Sequence, residues 1–127
     1  MATTPSFATV PRIGMGQVTV ANAGRDGSGT VVTILTGAAT GTRIAEVVVQ
    51  AIVTTTAGMV RLFISNGVTT RLLDEVSIAV ATPSASVKAT RVSTTYNNLV
   101  LPDNTWSLIA ATNNAEAANV IAFGADL

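Results

Sequence analysis

From residue 16 onward, apolar and polar positions alternate in short runs, and the runs are separated by clusters of Gly, Asn, Asp, Ser and Pro. Alternation with a period of two sends successive side chains to opposite faces of a pleated strand. The runs 17–21, 30–35, 43–53, 59–65, 69–81, 87–95, 106–112 and 120–123 read this way, with 99–101 extending the sixth beyond Asn97-Asn98. In the run 43–53, Ala45, Val47, Val49, Ala51 and Val53 share one face, and the mixed set Ile44, Glu46, Val48, Gln50 and Ile52 shares the other. In 59–65, Val60, Leu62 and Ile64 oppose Met59, Arg61 and Phe63. Asn66-Gly67 then predicts a hairpin with a type I′ turn, which needs positive φ at both central residues. No helical period persists beyond two turns. About eight short strands with loops roughly every ten residues predict an all-β chain, an antiparallel β-sandwich of about eight strands.

Residues 1–15 break the pattern. Pro5 and Pro11 disfavour helix, and Phe7, Val10 and Ile13 are apolar points in a small, polar stretch. The predicted organisation is an N-terminal arm over 1–15 and a β-sandwich domain over 16–127. Phe7, Val10, Pro11, Arg12 and Ile13 are the candidate contacts of that arm with a neighbouring subunit or a capsid.

Composition sharpens this picture. The 127 residues suit one domain. Hydrophobic residues make up 48% and aromatics only 4%, so the apolar content is Val, Ala, Ile and Leu with much Thr between them. Branched Val, Ile and Thr are stiff at Cβ and suit a pleated surface. Charged residues make up only 11%, against about 25% in a typical soluble domain. Burial of much of the surface in an assembly accounts for that scarcity, because charge is depleted in interface cores. The seven basic and seven acidic residues cancel. Phosphate binding draws on an excess of Lys and Arg, so nucleic acid is not an expected partner. A membrane is not expected either: no run of about 18–20 apolar residues occurs, and the stretch 106–125 is interrupted by Asn113, Asn114, Glu116 and Asn119. The first ten residues lack the basic start and apolar core of a signal peptide.

The chain has no histidine and no cysteine. The commonest general base and the usual zinc and transition-metal ligands are therefore absent, and neither a Ser–His–Asp nor a Cys–His arrangement can be built. Ser84 and Ser86 stand four and two residues before Lys88, not the three of a Ser-x-x-Lys motif. Asp74 and Glu75 are adjacent, so on a strand they point to opposite faces and cannot flank one glycosidic bond. Gly24 to Thr30 has the glycine spacing of a phosphate loop, but it lacks the lysine and precedes a strand, not a helix. Asp26-Gly27-Ser28 lacks the later acids of a calcium loop. No catalytic residue, cofactor or metal is expected. Arg25, Arg43, Arg61, Arg71 and Arg91 read either as solvated strand positions or as ion pairs across a subunit boundary. Trp106 reads more readily as core than as a binding platform.

Three segments carry a resemblance: TTTAGMVRLFISNG from Thr54, TPSASVKA from Thr82, and LVLPDNTWSLIAATNNAEAANVIAFGADL from Leu99. They resemble small tailed-bacteriophage virion proteins of the head decoration, or capsid cement, kind. The resemblance spans about residues 29–127 and is weak over the arm. It implies a jelly-roll-like sandwich, a homo-oligomer in the form of a trimer, a major capsid protein as partner, and a place on the outer capsid surface after synthesis in the host cytoplasm. It carries over no active-site residue. Two other classes remain open on the residues alone: a tail, fibre or head–tail connector component, and a carbohydrate-binding β-sandwich module, for which Trp106, Tyr96 and three Phe are a thin aromatic supply.

Overall fold

The structure, a computed structural model, describes residues 10–127. Eight strands follow in order: β1 (Val10–Val18), β2 (Val32–Thr36), β3 (Thr42–Ala51), β4 (Gly58–Ser65), β5 (Thr70–Ile78), β6 (Arg91–Leu101), β7 (Ser107–Thr112) and β8 (Ala118–Asp126). They form two four-stranded sheets, β1-β8-β3-β6 and β2-β7-β4-β5, and every neighbouring pair is antiparallel. This order, in which the first strand pairs with the last and all sequence neighbours except the hairpin β4–β5 fall in opposite sheets, is that of an eight-stranded jelly roll.

The core lies between the sheets. Ile44, Val47 and Val49 of β3 meet Val60 and Leu62 of β4, with Leu101, Leu108 and Val120 closing around them, all nearly or fully buried. The alternation expected for β3 changes phase within the strand. Its pairing slips between Ile44 and Glu46 against both β6 and β8. Ala45 is the extra residue of a bulge, which bends the strand and turns Ile44 to the same face as Val47. Gly124 of β8 sits against this bulge, where a Cβ would stand 2.0 Å from the Arg43 carbonyl oxygen.

Three further boundaries differ from the sequence reading. Residues 10–15 belong to β1, so the chain enters the sandwich before residue 16. Pro11 is tolerated because β1 is an edge strand. Residues 1–9, with Phe7, lie outside the described residues. β6 begins at Arg91, four residues into the run 87–95, and continues past Asn97-Asn98 to Leu101 as the sequence indicates, with residues 96–98 bulging opposite Ala45. The hairpin β4–β5 forms as expected, but not through a type I′ turn. Only Gly67 has positive φ (89°), and the Asn66 carboxamide oxygen accepts from the amides of Val68 and Thr69 at 3.0 and 2.7 Å. The side chain makes the turn that a second left-handed residue would otherwise make.

The connection 19–31 folds back over the outer face of β2-β7-β4-β5. There Phe63, Ile109 and Ala111 form a second buried cluster, capped by Val31 and Leu72. Asn22 anchors this connection, its backbone amide on the Thr112 carbonyl at 2.8 Å and its side chain on the carbonyls of Ser28 and Thr30. Gly27, at φ 84°, presses on Thr70 so closely that a Cβ would lie 2.3 Å from its methyl.

Candidate interaction surface

The outer face of the other sheet is composed differently. Inward positions of β1 carry Gly14 and Gly16, which lets the strand close onto β2; a Cβ on Gly14 would lie 2.2 Å from the Ile34 carbonyl oxygen. Outward positions carry Pro11, Ile13, Met15 and Gln17, all exposed. The register sets Ile13 beside Phe123 of β8 and Met15 beside Ile121, and β8 in turn sets Phe123 beside Glu46 and Ile121 beside Val48 of β3. Ile13 is 62%, Met15 75% and Phe123 36% exposed.

A polar row borders this apolar patch at one end, Gln17, Asn119 and Gln50, with Gln17 Nε2 donating to Asn119 Oδ1 at 3.1 Å. Toward β6 the patch meets Glu46, Ser93 and Thr95. Two shallow hollows interrupt it, of about 210 Å³ beside Met15 and Ile121 and about 360 Å³ between Arg43 and Phe123. An exposed apolar patch with a polar rim marks an association surface more often than a solvent face.

Of the arm residues singled out from the sequence, the structure brings Pro11 and Ile13 to this face. Val10 is 52% exposed at the start of β1. Arg12 points the other way. Its guanidinium bonds Asp126 at 3.0 Å and the Thr36 carbonyl at 2.9 Å, and Asp126 also accepts from Thr42 Oγ1 at 2.7 Å. Arg12 thus ties β1, β2, β3 and β8 together at one end of the sandwich. Sequence reasoning missed Met15, Ile121 and Phe123. The alternation in β8 signals an outward apolar pair there, but the neighbour that makes it a patch lies at the far end of the chain.

The carboxylates are all bonded within the chain. All seven carboxylates accept a hydrogen bond from their own fold: Asp26 from Ser28, Glu46 from Ser93, Asp74 from Tyr96, Asp103 from Thr105, Glu116 from Thr56 and Asp126 from Thr42. Glu75 pairs with both Arg25 and Arg61, the latter at 3.3 Å. The ion pairs of these two arginines are therefore internal and latch the 19–31 connection, in place of the subunit-boundary alternative. Asp74 and Glu75 do point apart, one to Tyr96 and one to the arginines. Hydrogen bonds from the Ser28 side chain and backbone hold the exposed Asp26 carboxyl below its ordinary value, and those from Thr105 do the same for Asp103. Among the described residues no group of three His, Cys, Asp or Glu could hold a metal ion. The clefts that reach between the sheets have only about 10 and 20 Å³, room for a water at most. Trp106 is half-buried and packs on the core. Among the described residues no helix is long and apolar enough to cross a membrane.

No family model matches the chain, and no curated protein matches it. Two crystal structures of a pentameric capsid protein isolated from metagenomic phage sequences align with 90% of this chain at 16% and 18% identity, with TM-scores of 0.41 and 0.42. The structure of the infectious bursal disease virus Gx strain aligns with 99% at 16% identity and a TM-score of 0.38. The chain spans 61% of the length of the phage proteins and 36% of the bursal disease virus chain. The jelly-roll assignment itself rests on the strand order described above.

Proposed function

We propose that this chain is a structural protein of a virion, one that binds the outer capsid surface beside the major capsid protein and stabilises the shell as a decoration or cement protein. The observation that supports this reading is the distribution of its surfaces. The sandwich interior is filled, the carboxylates are bonded internally, and one outer sheet face presents apolar side chains inside a polar rim. Such a molecule works through its outside.

The jelly roll also serves lectins and cupins, and a fold does not by itself choose among them. The residues do. A metal site of the imidazole kind cannot be built without histidine. A sugar platform needs exposed aromatic rings, whereas Trp106 and Tyr96 pack on the core and Phe63 is buried, which leaves Phe123 as the one exposed ring among the described residues. Stabilisation would come from apolar burial, worth roughly 25 cal/mol per Å² before the costs of association. Repetition over many linked copies multiplies it.

Co-sedimentation tests the proposal. The purified chain is mixed with assembled capsids and, separately, with unassembled capsid subunits. Saturable retention on the shells alone, with a raised temperature of shell rupture, is the expected result. Retention on tails instead would move the chain to a tail, fibre or connector role, and binding on a glycan array without shell retention would make it a carbohydrate module.

A further inference from the structure

We propose that the outer face of β1-β8-β3-β6 is a two-fold contact with a second copy of this chain. The inference deepens the virion reading above and names one partner and the surface it uses. Three observations on that face carry it.

The first is charge. Because Ala45 is the extra residue of the bulge, Arg43 and Glu46 occupy successive outward positions of β3, opposite Ala125 and Phe123 of β8. An isologous contact brings the same patch of two molecules together in opposite sense. Arg43 donates to the Asn97 carbonyl at 3.1 Å and Glu46 accepts from Ser93, which leaves further donors on the one and lone pairs on the other. Side by side on a strand, they then form two reciprocal Arg43–Glu46 pairs. A face of one sign would repel its own copy. This one is self-complementary.

The second is relief. Met15 and Ile13 stand up from the face at 75% and 62% exposure. Beside them are the two hollows, one lined by Met15, Gly16, Asn119 and Ile121 and the other by Arg43, Ala45, Phe123, Gly124 and Ala125. Knobs and hollows on one patch allow two copies to interlock, as packing at an interface core requires.

The third is area. Four strands and the length from Pro11 to Gln17 enclose roughly 450 Å² of plan area. Two copies would bury about 900 Å² before side-chain relief is counted, below the roughly 1,200 Å² of stable specific interfaces and within the range of weak, transient ones. A weak, concentration-dependent pair is the expected consequence.

Sedimentation equilibrium of the full chain tests the proposal. The mass should rise from 12.9 kDa toward twice that value as concentration increases, over a range of about 1–1,000 μM. Met15→Asp, at a highly exposed position, should remain folded by circular dichroism and monomeric throughout. Arg43→Glu and Glu46→Arg should each weaken pairing by about tenfold, and the double reversal should regain most of the loss. A chain that stays monomeric, a trimer, or a pair insensitive to Met15→Asp overturns the proposal. The shell assay separates the two readings. Retention on capsids by a strictly monomeric chain removes only this face, whereas pairing through this face without capsid retention removes only the virion role.

Discussion

Tyr96 of β6 donates its phenolic proton to Asp74 of β5 at 2.8 Å, and this bond joins the outermost strand of one sheet to the outermost strand of the other. At the opposite edge the polar contact lies at one end, where Arg12 of β1 donates to the Thr36 carbonyl of β2 at 2.9 Å. Along the rest of that edge Gly14 and Gly16 let β1 press directly on β2. One rim of the sandwich is thus joined through two side chains and the other chiefly by close approach of backbone.

The Tyr96 bond makes stability depend on alkaline pH. Burial, then the hydrogen bond and the negative charge of Asp74, raise the phenol well above its ordinary value of 10.0. The folded state therefore favours the protonated form. Its contribution is complete below the unfolded value and is lost as pH rises through the folded one. Tyr96 is the only tyrosine, so tyrosinate absorbance reports it alone and should appear only at a pH above that of a model tyrosine. Tyr96→Phe should remove this dependence and cost about 1 kcal/mol of unfolding free energy.

At the glycine-closed rim, Gly14→Ala places a methyl 2.2 Å from the Ile34 carbonyl oxygen, and Gly124→Ala places one 2.0 Å from that of Arg43. Both positions face backbone, which cannot rotate aside. Each substitution should destabilise the fold by about 1–3 kcal/mol, measured by urea unfolding with the single Trp106 as fluorescent probe.

Two phenylalanines separate folding from association. Phe63 is fully buried under the 19–31 connection, and Phe123 is 36% exposed on the opposite sheet. Phe63→Ala should cost about 3–5 kcal/mol. Phe123→Ala should cost markedly less in unfolding and instead weaken the concentration-dependent mass increase. Chemical denaturation and sedimentation, run on both variants, read the two effects independently.

Asp26 and Asp103 close turns by accepting from Ser28 and Thr105, and both carboxyls lie below their ordinary 3.8. A depressed value means that the bonds stabilise the fold above the unfolded value and fade as pH falls through the folded one. Between about pH 4 and lower values, the amide resonances of Ser28 and Thr105 should shift while core amides such as that of Val49 stay in place.

The strand count and the hairpin were legible because they depend on local pattern: short apolar, β-branched runs between turn clusters, and the break at Asn66-Gly67. The phase of β3 was not. A bulge at Ala45 has no compositional mark, and it arises from the match to Gly124, far along the chain. The start of β1 was hidden by Pro11, which reads as a breaker until the strand is known to lie at an edge. The interaction patch was half legible. Ile13 stood out as an apolar point, but its partner Phe123 joins it only because the first and last strands pair, a long-range fact that no local window contains. Arg12 looked equally available and is spent on Asp126, since an inward position next to β8 gives it a carboxylate.

The 19–31 connection has a consequence for how large an assembly can grow. A sandwich with two bare faces can stack without limit, like coins in a roll. Here one face is roofed by the chain itself and latched through Glu75, so only one side is adhesive. Two such molecules meeting on their adhesive sides present nothing but roofs outward. Growth in that direction stops at the pair, and a protein with few charges to keep it dispersed gains from its own covalent connectivity the protection against runaway stacking that surface charge would otherwise provide.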